Sequence, residues 1–219
     1  MTITTASINA KQLVSLMSLH VFASTDKVTP VLGLIHIQRV GHTLEVSVTD
    51  RYCFASGHYP LDSDQHDEDT DEPVFLSADT ARQFLPMVKK VDSNAIVVIG
   101  ENVIYVDHAA ITIPLTQTTN KFPAVQRLLP TSLEEHVATP AGIVSIRPSY
   151  VAKLTKIILP GQGWKTNRGA EDPWIFYVGA DPENELSSKA RPRPVVCEPI
   201  VKDGGTVLVM IQPNLMKRD

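Results

Sequence analysis

A chain of 219 residues that is 43% hydrophobic has enough apolar side chains for a packed core. No run reaches the roughly 18 apolar residues of a membrane span, and the opening MTITTASINAKQ has neither the basic start nor the apolar stretch of a secretory leader, so the expected location is cytoplasmic. The formal charge of −4 is uneven: Asp62 to Glu72 holds seven acids and no Lys or Arg, which leaves the remainder at +3 and marks the run as a solvated loop without the EF-hand pattern of a calcium site.

In chain order, Asn9 followed three residues later by Gln12 reads as a helix start with a capping-box partner, and Leu13, Leu16, Met17 and Val21 follow near helical spacing. Strand-like text comes next: VLGLIHIQRV, then HTLEVSVTD after the turn residues Gly41 and His42, then RYCFASGHYPL. Beyond the acidic run the order recurs. PVFLSA is a short strand, Ser77 caps a second helix, and Ala81, Phe84, Leu85 and Val88 form its apolar stripe, with Pro86 expected to kink or shorten it. AIVVIGE, NVIYVDH and AAITIPL then read as a three-strand meander, so residues 1–115 hold two copies of strand, helix and three strands.

TQTTNKFPAVQRLLPTSLEEH, polar at its start and with two prolines, reads as a connector. A third, partial copy follows: a strand at AGIVSIR, a helix begun by Pro148 with Tyr150, Leu154, Ile157 and Ile158 as its stripe, and strands at PWIFYVGA, PVVCEPIV and TVLVMIQ. The organisation expected is a clamp-sized unit over 1–118, a connector over 119–140 and a partial unit over 141–219.

The chemistry-bearing residues do not assemble into a catalytic pattern. HExxH, GxSxG, a glycine-rich phosphate loop and paired CxxC are absent, Cys53 and Cys197 read as reduced thiols, and Cys53 with His58 falls on opposite faces of one strand. The expectation is a binding protein, not an enzyme, with no cofactor and no metal.

One family matches these segments together. TPVLGLIHIQRVGHTLEVSVTDRYCFASGHYPL resembles the middle domain of the bacterial DNA polymerase III β sliding clamp. NKFPAVQRLLP resembles the connector of that family, PSYVAKLTKI its last-domain helix and VLVMIQP its terminal strand. The family's first domain and the first half of its last have no counterpart in these residues, as in a shortened, phage-encoded form, and the last strand runs into IQPNLMKRD where the family ends Pro-Met-Arg-Leu.

The resemblance implies an α+β DNA-clamp fold, with repeated strand-helix-three-strand half-domains, antiparallel sheets outside and helices on the inner face. It implies a homo-oligomeric ring acting as a processivity factor for a DNA polymerase, with four copies if three half-units per chain complete about twelve and two or three copies at a different curvature. Weak, sequence-independent contact with duplex DNA would come from Lys11, Arg82, Lys89, Lys90, Lys153 and Lys156. Clamp-binding peptides of polymerases and other partners would enter a pocket formed by Thr29 and Leu32 on the first strand, Thr49, Arg51, Tyr52, Cys53 and Phe54, Pro123, Arg127 and Leu128 on the connector, and Leu208, Val209 and Met210 on the terminal strand. The alternative is a binding module that captures the same peptides and regulates a host replisome without a ring.

Overall fold

Two stretches of the chain carry out one plan, and each needs the other to finish its sheet. The computed structural model describes residues 6–61, 72–130, 132–137, 145–160, 173–179, 193–200 and 205–213. The first copy runs β1 (Ala6–Asn9), α1 (Ala10–Ser18), β2 (Leu34–Val40), β3 (Thr43–Thr49) and β4 (Cys53–Pro60). The second runs β5 (Val74–Ser77), α2 (Ala78–Val88), β6 (Ile96–Ile99), β7 (Val103–Val106) and β8 (Ile111–Pro114). The opening strands are exchanged: β1 pairs antiparallel with β6, and β5 with β2. Neither copy can therefore fold to completion alone, and the two share one core in which Leu13, Leu16 and Met17 of α1 join Ala81 and Val88 of α2 with Val46, Val48, Ile99 and Ile104 of the sheets.

Local chemistry sets the helix ends. Asn9 accepts from the backbone N–H of Gln12 at 3.0 Å while the Gln12 side chain accepts from the backbone N–H of Asn9 at 2.9 Å, closing the capping box. Ser77 caps α2 by accepting from the Thr80 N–H at 3.0 Å. Pro86 lies in the last turn of α2, which stops two residues later at Val88. The helix nevertheless completes the expected stripe, the Lys89 N–H donating to the Leu85 carbonyl at 3.1 Å beyond the proline, whose cost is its own missing donor.

The expected strand at VLGLIHIQRV is shorter. Pro30–Gly33 forms a 3-10 turn ahead of β2, with the Leu32 N–H donating to the Thr29 carbonyl at 3.1 Å. Proline's fixed φ starts such a turn and denies a ladder donor. Thr29 and Leu32 consequently sit on this turn and not on the first strand.

The later elements are α3 (Leu133–Val137), α4 (Pro148–Leu154), β9 (Trp174–Tyr177), β10 (Val195–Pro199) and β11 (Thr206–Ile211). β11 lies antiparallel beside β4 over six residue pairs, from Thr206 with His58 to Ile211 with Cys53. One sheet therefore runs β5-β2-β3-β4-β11-β10-β9 across both parts of the chain, beside the second sheet β1-β6-β7-β8. Helix α4 begins at Pro148 as expected but ends at Leu154; Ile157 and Ile158 follow it as buried loop residues, the Ile158 N–H donating to Ser18 Oγ at 3.0 Å. The acidic run over 62–71, the start of the AGIVSIR strand at 141–144, the loops over 161–172 and 180–192, and the end at 214–219 lie outside the described residues.

Candidate partner-binding site

The connector packs on the face of the long sheet that looks away from the helices. Phe122, Val125, Leu129 and Leu133 cover Phe54, Val196 and Met210, while Phe122 also reaches Val31, Leu32, Leu34 and Phe75. The register between β4 and β11 places Met210 opposite Phe54, so two residues 156 positions apart become the floor of one depression.

At the edge of this cover lies a cavity of about 250 Å³. Thr29 and Leu32 of the 3-10 turn, Thr49 to Phe54 except Asp50, Pro123, Val125 and Leu128 of the connector, and Pro194, Met210 and Gln212 line it. The sequence expectation named most of these. Three of its residues lie elsewhere: Val209 points into the main core, Leu208 stands farther along β11, and Arg127 is exposed beside the cavity wall. Val209 is separated from Met210 by strand alternation, since consecutive side chains occupy opposite faces. Val125, Pro194 and Gln212 were not anticipated. Val125 follows Pro123 by two positions and could have been inferred from its apolar character, but Pro194 reaches the cavity through the β10–β11 pairing and Gln212 through the β4–β11 pairing, its N–H donating to the Tyr52 carbonyl at 2.8 Å.

The turn joining β3 to β4 shapes one wall. Arg51 has φ 80, a left-handed conformation rare for a residue with a side chain. Its guanidinium bonds Thr29 Oγ1 and lies 3.8 Å from the Asp26 carboxylate, tying this turn to the 3-10 turn across the cavity lip. Tyr52 is 56% exposed, an aromatic ring offered at the rim. Cys53 is buried, and burial first, then the negative charge of Asp50, push its thiol pKa up, so it remains a thiol. His58 instead pairs with Ser56 Oγ at 3.1 Å and Glu45 at 3.7 Å. The arrangement is suited to holding apolar and aromatic side chains.

Beneath the connector, His36 stacks on Phe122 with ring centres 5.0 Å apart and meets Phe75 edge-on at 5.5 Å. Its Nδ1 finds no hydrogen-bond partner among the described residues, and burial lowers its pKa to about 4. The unfolded chain takes up this proton near pH 6.5, whereas the folded protein resists it until about pH 4. Stability present above pH 6.5 is thus lost on acidification through that window, by about 3 kcal/mol at its lower end. Urea titrations of wild type and His36→Leu at pH 7.5 and 4.5 should show the wild type losing more stability than the variant; equal losses would refute this account.

The candidate DNA-facing cations divide. Arg82 and Lys156 are exposed and come near one another around His20, where burial first and their positive charges next hold the imidazole pKa below its ordinary value against the opposing bond to Met17 O. Arg82 also pairs with Asp79 at 3.0 Å. Lys11 and Lys89 are half-buried on α1 and just beyond α2. Lys90 is exposed and lines a second, broad depression of about 740 Å³ between the end of α2 and the β7–β8 turn, away from the connector. Lys153 does not stand on a solvated face. Its ammonium is 2.8 Å from Asp50 Oδ2 and lies over the rings of Tyr150 and Phe22; the carboxylate is 103 positions away, beyond the reach of local sequence patterning.

No family model matches this sequence, and no curated protein matches it either. Solved structures do match in shape. The sliding clamp of Bartonella birtlesii bound to griselimycin superposes with a TM-score of 0.59 at 12% identity, over 97% of this chain and 66% of its own. The DNA polymerase III β subunit of Thermotoga maritima gives 0.56 at 9%, over 97% and 65%, and the sliding clamp of Bacillus subtilis 0.50 at 14%, over 99% and 50%. Antiparallel sheets, exchanged opening strands and paired helices therefore define an α+β DNA-clamp fold. By fold this is a clamp-like protein, and it spans about half to two thirds of the length of the clamps it resembles.

Proposed function

We propose that this protein docks short peptides of replication partners in the connector cavity and assembles as a homo-oligomer around duplex DNA. The observation that carries the peptide reading is the convergence of the 3-10 turn, the β3–β4 turn, the connector and the terminal strand on one apolar, arginine-rimmed depression. A flexible methionine, a half-exposed tyrosine and leucines at its wall match what leucine and aromatic anchors of a peptide require. Arg82, Lys156, Lys90, Lys11 and Lys89 supply the weak, salt-sensitive contact to phosphates that a sliding protein needs. Lys153 is occupied with Asp50 and is not assigned to DNA.

Two measurements on the purified chain test this. Calorimetry with a QLSLF peptide at ~100 μM protein should give saturable one-to-one binding in the micromolar range expected of transient peptide contacts. Light scattering at tens of micromolar should give a mass above the monomer's 24.0 kDa. Binding without assembly would favour a peptide-capturing module that regulates replication without a ring. Absence of binding would reject the cavity as a peptide site.

A further inference from the structure

The β3–β4 turn that walls the cavity is held from two directions. From within, Thr49 Oγ1 donates to the Cys53 carbonyl at 2.9 Å and accepts from the Arg51 N–H at 3.1 Å. Asp50 Oδ1 accepts from the backbone N–H groups of Tyr52 at 3.0 Å and Cys53 at 2.8 Å. From outside, the other oxygen of Asp50 meets Lys153 Nζ at 2.8 Å, with the two side chains 15% and 20% exposed. Arg147, at the start of α4, places its guanidinium 5.8 Å from the centre of the Tyr52 ring. Helix α4 thus touches the turn twice while contributing no residue to the cavity lining.

We infer that Lys153, acting through Asp50, is a positioning residue for the cavity: it fixes the turn in the shape that presents Arg51 and Tyr52 to a bound peptide. The chemistry is direct. A largely buried carboxylate that loses its cation retains a charge that only two amides and whatever water it can reach will compensate, so it is driven to turn outward. Doing so releases the Tyr52 and Cys53 amides and the restraint that keeps Arg51 left-handed. Lys153 is also held in place by the rings of Tyr150 and Phe22, which limits its freedom to follow. The site's readiness for a partner is consequently governed by a helix from the far part of the chain, and anything that shifts α4 alters the cavity without entering it.

The functional half of this inference rests on the peptide-docking reading, so the test carries one readout that needs no peptide. Amide hydrogen exchange is followed by NMR in the full, unliganded chain for wild type, Lys153→Met, Lys153→Arg and Asp50→Asn. Exchange at Tyr52 and Cys53 should rise about tenfold in Lys153→Met with α1 and β3 unchanged, and affinity for the QLSLF peptide should fall about tenfold. Lys153→Arg should restore both. Asp50→Asn keeps an oxygen for the two amides and has no charge to drive it outward. Added to Lys153→Met, it should therefore bring exchange at Tyr52 and Cys53 and peptide affinity back toward wild type, in a protein that no longer buries an unpaired charge. The double variant should be no worse than either single one. Unchanged exchange, or faster exchange with undiminished peptide affinity, would overturn the inference. Accelerated exchange in a protein whose wild type binds no peptide would instead overturn the peptide reading and support Lys153 as the turn's anchor.

Discussion

Replacing Leu128 with aspartate should abolish QLSLF binding, a loss of at least about thirtyfold, as expected when an apolar side chain of the cavity wall is replaced by a charge that a bound peptide would desolvate. Leu128 is 65% exposed on the 3-10 turn of the connector, yet it lines the cavity. The folded protein does not depend on it, and the melting temperature should stay within about 2 °C of wild type. Leu32 and Met210 offer no such separation, because they are 3% and 4% exposed and a charge at either would unsettle the packing beneath the connector as well as the site. Arg127→Ala is the control: it is the next residue, exposed and outside the lining, so its peptide affinity should change less than about threefold. Equal losses from both variants would mean that the connector responds as a whole and that the cavity does not read individual side chains.

What could be read from the residues was what short-range chemistry dictates. The capping pair Asn9 and Gln12, the Ser77 cap and the alternating text of β3, β4 and the β6–β8 meander act within a few positions, and those elements stand where the signals put them. Strand β2 instead starts late behind the Pro30 turn, and α4 ends early at Leu154. The exchange of β1 and β5 between sheets was not legible, since a four-residue strand carries no mark of which distant strand it will meet. The same limit explains the site. Val209 and Met210 could not be told apart until the β4–β11 register fixed which of them faces the connector. Lys153 looked like a solvated helix cation because its carboxylate is brought to it by the fold of the whole chain.

Gly57→Ala should destabilise the protein by about 3 kcal/mol. Glycine in the middle of a strand is ordinarily a weakness, so its presence in β4 between β3 and β11 calls for a cause. The cause is Tyr59, two positions on and on the same face: a Cβ at position 57 would lie 2.7 Å from both its Cε2 and its hydroxyl oxygen. Tyr59 is fully buried, with a Cβ at Gly205 equally close on another side, 2.8 Å from its Cδ1. Its hydroxyl meets Ser15 Oγ of α1 at 3.0 Å, joining the long sheet to the helices. A ring so placed cannot swing aside without breaking that bond and opening the core, and an unpaired buried hydroxyl alone costs about 1–3 kcal/mol. Urea denaturation of Gly57→Ala, Tyr59→Leu and the double variant resolves the origin. If the ring is responsible, the alanine should cost less than about 1 kcal/mol once Tyr59 is leucine. A full penalty in that background would place the strain in the backbone of β4 and remove Tyr59 as the reason for the glycine.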